Sequence, residues 1–204
     1  MYKIMLFITL IFLSGCNTKT PTKAINTKGS DSSSMKTLKD DLSSYTQATI
    51  DNDIPKLINF IYPKVFTVVP KDKMTKILTV AYNSGNAPKV TNIKHVNIKP
   101  IESYNGGMFS IITSSMSTIL KSPIPDNAKF EAYMLERIKK GLNSQGTVNF
   151  DKEKHTFSIN HVSKTLAINE EGGWKFAGIK QAKKYAQKGL LAQELVEAIQ
   201  KEEN

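Results

Sequence analysis

The chain is predicted to fold as an α+β domain, with N-terminal helices packed on a curved, mainly antiparallel sheet and a helix at the C-terminus. Three observations carry that prediction. Apolar residues recur at helical spacing from residue 35 to 82, and β-branched residues then dominate residues 90–120 on either side of a tight-turn sequence. Helical spacing returns only at 126–144 and at the C-terminus, without the strand–helix alternation of a parallel βαβ sheet.

The first helix, 35–51, carries Leu38, Leu42, Tyr45 and Thr49 on one face. Asp53 caps a second, short helix with Pro55 in its first turn and Leu57, Ile58 and Ile61 facing inward. Tyr62-Pro63 ends it, because proline disfavours helical geometry in the residue before it. Met74, Ile77, Leu78, Ala81 and Tyr82 mark the inner face of a third helix, and Ser84-Gly85-Asn86 stops it.

After Pro88 the period changes. Strands at 90–101 and 108–120 flank Tyr104-Asn105-Gly106-Gly107, where Asn-Gly supplies the positive φ angles of a tight hairpin. Pro123 and Pro125 interrupt the chain. A helix at 126–144 places Phe130, Tyr133, Met134, Arg137, Ile138 and Leu142 near one face, and Gly146 closes it. Short strands at 147–150, 155–161, 164–169 and 174–179 read as a meander with breaks at 151–152, 162–163 and 170–173. A single terminal helix, 183–201, presents Leu191, Leu195, Ala198 and Ile199, to seal the sheet or to contact a partner.

Ahead of the domain, Lys3 gives a basic start, residues 4–13 form an apolar run broken only by Thr9, and Leu13-Ser14-Gly15 leads to Cys16, the single cysteine. The run is half the ~20 apolar residues that a spanning helix needs. This order of features resembles the signal peptide and lipobox of bacterial lipoproteins. The resemblance implies removal of residues 1–15, acylation of Cys16 by palmitate-type chains, and a lipid-anchored place in the cell envelope outside the cytoplasm. Asn17, in place of Asp, implies the outer membrane where the organism has one. Each buried methylene contributes about 0.8 kcal/mol and one chain anchors only marginally, so two or three are needed. An ordinary secretory signal leaves the cysteine unexplained, and a buried N-terminal helix is followed by too polar a stretch. Residues 16–34, polar and small, read as a flexible tether with a reach of roughly 25 Å. Residues 35–204 form one domain.

Without the signal segment the formal charge falls from +10 to +9, because Lys3 is its only charged residue. No second cysteine exists to form a disulfide, so stability rests on apolar burial. Outside the cytoplasm the positive charge meets no nucleic acid. Anionic headgroups or acidic cell-wall polymers are its candidate neighbours, beside the plainer reading of lysines on solvated faces.

The opening helix with Tyr45, the short helix with Asp53 and Leu57, and the closing Gly172-Gly173-Trp174-Lys175-Phe176 look like the NTF2-like (SnoaL-like) cone fold over residues 35–182. That resemblance implies a curved sheet wrapping a long helix, with a pocket at its wide end. The helix at 126–144 departs from the simplest version. Tyr45, Trp174, Phe176, Met108 and Met116 are the candidate pocket-lining residues, with core packing as the alternative. Enzymes of that group use a pocket acid or histidine as general base, and no position here matches such a motif.

Other chemistry is thin. His155 and His161, on one strand face, stand about 20 Å apart and cannot share a metal or a proton. His95 stands alone in a lysine- and asparagine-rich strand. Ser114-Ser115-Met116-Ser117 lacks a Gly-x-Ser-x-Gly elbow, and neither glycine pair leads into a phosphate-binding helix. Asp151 and Glu153 flank a turn. No cofactor and no metal is expected. The expectation is an anchored domain that binds a small apolar ligand or an envelope protein without catalysis. A SnoaL-like enzyme acting on a small apolar substrate, and an inhibitor or immunity lipoprotein, are the alternatives.

Overall fold

A computed structural model describes residues 32–85 and 87–202. The signal segment, Cys16 and the tether as far as residue 31 lie outside the described residues. Helix α1 (Ser32–Asp51) begins three residues before its expected start, taking in the last serines assigned to the tether. Serine is well tolerated in a first turn, where the backbone N–H groups have no intrahelical partner. Asp53 caps α2 (Ile54–Asn59) by accepting the Lys56 N–H at 3.1 Å, with Pro55 in the first turn. Proline 63 then opens a 3-10 turn (Pro63–Thr67) that the apolar spacing did not reveal. Helix α3 (Lys71–Asn83) buries no residue completely. Met74, Leu78, Ala81 and Tyr82 are half-buried and Ile77 is exposed, because α3 packs mainly on α2 and not on the sheet.

Six antiparallel strands follow: β1 (Lys89–Ile98), β2 (Glu102–Tyr104), β3 (Gly107–Lys121), β4 (Gly146–Asp151), β5 (Thr156–Asn169) and β6 (Lys175–Gly178). Long strands β3 and β5 pair along their whole length. Strands β1 and β2 share the outer side of β3, and β4 and β6 share the outer side of β5. The hairpin turns through Asn105-Gly106, with Tyr104 opposite Gly107. The expected break at Val162-Ser163 does not occur. Strand β3 holds β5 straight through it, and only the outer partner changes from β4 to β6. His155 lies outside β5 because its φ of 51° is left-handed, so it does not share a strand face with His161.

Helix α4 (Ala128–Leu142) is capped by Asn127, whose side chain accepts the Phe130 N–H at 3.0 Å. Asn143 and Ser144, both at positive φ, end it, so Gly146 is not the terminator. Gly146 instead opens β4, where an added Cβ would stand 2.3 Å from the Asn160 carbonyl oxygen. Tyr133 faces solvent, while Met134, Leu135, Ile138 and Leu142 pack inward. The single terminal helix is two, α5 (Ile179–Gln187) and α6 (Gln193–Lys201). Gly189, at φ 69°, makes the break: its N–H donates to Ala186 and that of Leu190 to Tyr185, a Schellman stop. No described helix is long and apolar enough to cross a membrane.

The two sheet faces are covered unequally. Ile112, Leu120, Phe157 and Ala167 alternate onto one face, packed by α1 through Leu38 and Leu42 and by α4 through Ile138. Phe109, Ile111, Leu166 and Ile168 alternate onto the other, beneath Leu195, Ala198 and Ile199 of α6. That second cover stops halfway along β3 and β5.

Candidate functional site

Four of the five candidate pocket residues meet in one apolar cluster on the α1-facing side. Trp174 is 1% exposed and stands just before β6. Its backbone N–H donates to Asp41 Oδ2 at 2.9 Å and its indole N–H to Thr37 Oγ1 at 3.3 Å, which ties the last turn of the sheet to α1. Phe176 stacks on the Tyr45 ring at 4.8 Å between centroids, with Phe60 and Met108 against the same group. These contacts satisfy one another as a packed core. Burial pushes the Tyr45 hydroxyl pKa up.

Met116 lies elsewhere, in a polar strip farther along the same face. Its sulfur accepts a hydrogen bond from Ser163 Oγ at 3.0 Å, and His161 is directly opposite it on β5. The Nδ1 of His161 is buried with no hydrogen-bond partner among the described residues, and burial, helped by the charge of Lys180, lowers the pKa of this ring. One rung away, His95 is held on both sides. Thr46 Oγ1 of α1 lies 2.9 Å from Nε2, and Ser114 Oγ lies 2.9 Å from Nδ1. Burial lowers the pKa of His95 as well. Ser114 and His95 stand at hydrogen-bond distance, but a threonine hydroxyl occupies the place where a nucleophilic triad has its carboxylate. Beneath α1 the group acts as a polar link between helix and sheet.

Two carboxylates that sequence reading passed over organise the opposite face. Glu170 Oε1 accepts from Tyr104 at 2.7 Å, from Tyr62 at 2.8 Å and from Lys64 at 3.1 Å. Burial would raise its pKa, but the two hydroxyls and the ammonium outweigh that and hold it below the usual carboxylate range. Burial and the Glu170 charge together push the Tyr104 hydroxyl far up. Glu202, its side chain 7% exposed, pairs with Lys99 and, at 2.9 Å, with Lys164. Its pKa is held down by the same balance of burial against two ammonium groups. A cleft of about 150 Å³ opens beside it, floored by Phe109 and Ile111 and rimmed by Lys99, Glu102, Lys201 and Glu202. Partners 38 to 108 positions apart leave no local signal for either hub.

His155 is clasped by carboxylates at the start of α4, with Nδ1 2.8 Å from Glu131 and Nε2 3.2 Å from Asp126. Asp151 caps its own turn by accepting the N–H groups of Glu153 and Lys154 at 3.0 Å each. Among the described residues no group of histidine, cysteine and acidic side chains has the arrangement of a metal site.

Among the described residues, no helix covers the second sheet face beyond Lys99. Ser115, Ile119, Ser158, Asn160 and Val162 are exposed there, in the middle of the sheet. An antiparallel sheet commonly leaves one face to solvent, and this half-face is the broadest strand surface that the described helices leave open, which makes it the candidate for recognition. No protein-family model matches this chain, and no curated protein or solved structure matches it either.

Proposed function

We propose that the chain is a lipid-anchored protein of the bacterial envelope, held outside the cytoplasm by acylated Cys16, whose α+β domain binds a partner and does no chemistry. The observation that carries the binding part is the uncovered outer half of the second sheet face, from Ser115 to Lys121 on β3 and Thr156 to Val162 on β5. The anchor part rests on the order Lys3, apolar run, Leu13-Ser14-Gly15-Cys16.

The reading includes an NTF2-like cone. Two irregularities in β1, at Val90/Asn92 and His95/Asn97, favour a bent strand, and the long α1 lies along the sheet face that such a cone would enclose. The aromatic group of Tyr45, Phe60, Trp174 and Phe176 fills that space, which favours a partner bound on the outer surface over a small ligand bound inside.

Anchoring raises the effective concentration toward other envelope components without any new contact. The test is Cys16→Ser with fractionation and metabolic labelling by a fatty-acid probe. The expected result is loss of the label and release of the domain from the membrane fraction. Unchanged fractionation and no labelling of the parent chain would overturn the anchor.

A further inference from the structure

We infer that the uncovered sheet face binds an acidic polysaccharide, an inference that rests on the binding-protein reading above and names its partner class. The strand register arranges the exposed side chains in rungs. One rung is Asn92, Ser117, Asn160 and Thr147, four uncharged hydroxyl and amide groups across four strands. The rung on one side is Lys94, Ser115 and Val162, and on the other Lys89, Ile119, Ser158 and Asn149. Lys121, Thr156 and Asp151 follow at the end of the sheet. Rungs on one face are about 6.7 Å apart and strands about 4.8 Å, so the polar rung forms a strip roughly 14 Å wide with ammonium groups on both sides.

Charge selects the partner's sign. Lys89, Lys94 and Lys121 are exposed and have no ion pair among the described residues. Strands β1, β3 and β5 contain no acidic residue, and Asp151, at the margin on β4, is 3.3 Å from Lys154 Nζ. An anion placed on this surface meets three ammonium groups, while the carboxylates at its margins, Asp151 and Glu202, are each paired with a lysine.

The neutral rung selects its chemistry. Ser117 Oγ donates to Asn160 Oδ1 at 2.7 Å, a contact that does not use the Asn160 amide N–H groups or the Ser117 lone pairs. Such a row matches a chain bearing many hydroxyls, which both donate and accept. A membrane surface would call for aromatic groups to insert, and among the described residues this surface offers none: its exposed apolar side chains are the aliphatic Ile119 and Val162, on separate rungs, and Val96 at the β1 irregularity.

The test is binding of the full-length protein in detergent to immobilised dextran sulfate, with neutral dextran, polyglutamate and phosphatidylglycerol vesicles in parallel. The expected result is salt-sensitive binding to dextran sulfate, about tenfold weaker binding to polyglutamate, and none to neutral dextran. The triple variant K89Q/K94Q/K121Q should lose about tenfold or more, the K89R/K94R/K121R variant should retain binding, and S117A/N160A should lose dextran sulfate affinity but keep polyglutamate affinity. Equal affinity for polyglutamate and dextran sulfate, undiminished binding by the Lys→Gln triple variant, or binding to the vesicles alone would each overturn the inference. An envelope protein that co-purifies with the anchored parent chain and is lost with K89Q/K94Q/K121Q would overturn the polysaccharide while leaving the binding-protein reading intact. Absence of any partner for this face, polymer or protein, would sink both.

Discussion

Glu202, at the C-terminal cap of α6, is ion-paired with Lys99, the first residue after β1, across 103 positions of sequence. The pair, extended by Lys164 of β5, fixes α6 over the inner half of the second sheet face and so sets the line beyond which that face is bare.

Glu202→Gln should therefore loosen α6 selectively. Both lysines reach water, so the loss is modest, roughly 1–2 kcal/mol in the free energy of local opening of α6. Amide exchange should quicken over Gln193–Lys201 while β3 and β5 stay protected. Uniform acceleration over the whole sheet would contradict a local role.

Tyr62→Phe and Tyr104→Phe should each cost about 1–2 kcal/mol, because each removes a hydrogen bond to a charged carboxylate. Both hydroxyls donate to the same Glu170 oxygen, so the double variant should differ from the sum of the single ones. Denaturant unfolding of the four proteins measures the coupling, and strict additivity would show that Glu170 is not shared in solution.

Stability should fall with acid in two stages. The folded-state pKa values of His95 and His161 lie below the ordinary 6.5, so the unfolded chain takes up protons first; the stability is full above pH 6.5 and declines below it. Glu170 and Glu202 are held below the ordinary 4.5, so their contribution is full above that value and is lost as pH falls through their folded values. Urea midpoints between pH 8 and 3 measure both limbs. Replacing both histidines with glutamine should flatten the first limb and leave the second.

Trp174 is the chain's only tryptophan and is fully enclosed, so its emission should be blue-shifted when native and move to the red on unfolding. Trp174→Ala should cost about 3–5 kcal/mol through the cavity it leaves. A native emission already at the water-exposed wavelength would contradict the packed cluster with Tyr45 and Phe176.

Gly146→Ala should destabilise by roughly 1–3 kcal/mol, since its Cβ would meet the Asn160 carbonyl oxygen and the His161 Cβ, 2.8 Å away, in the adjacent strand. Thermal unfolding measures the loss, and a neutral result would mean that β4 does not pair with β5 at this register.

Local chemistry by itself determined the parts of this protein governed by neighbours in sequence. The α+β order of elements, the Asp53–Pro55 helix start and the Asn105-Gly106 hairpin all follow from backbone preferences within a few residues, and the structure keeps them. Apolar spacing also brought Tyr45, Trp174 and Phe176 to the right side of their elements, because a period of two or 3.6 assigns a face. Spacing could not say what lies opposite that face. Only the tertiary structure decided that these aromatics close on one another, that β5 runs unbroken because β3 pairs along all of it, and that Glu170 gathers two tyrosines and a lysine from distant segments. It alone also decided that Lys89, Lys94 and Lys121 share one uncovered face. Strand register and the reach of α6 are set by long-range contacts, whose energies depend on residues that no local window contains together.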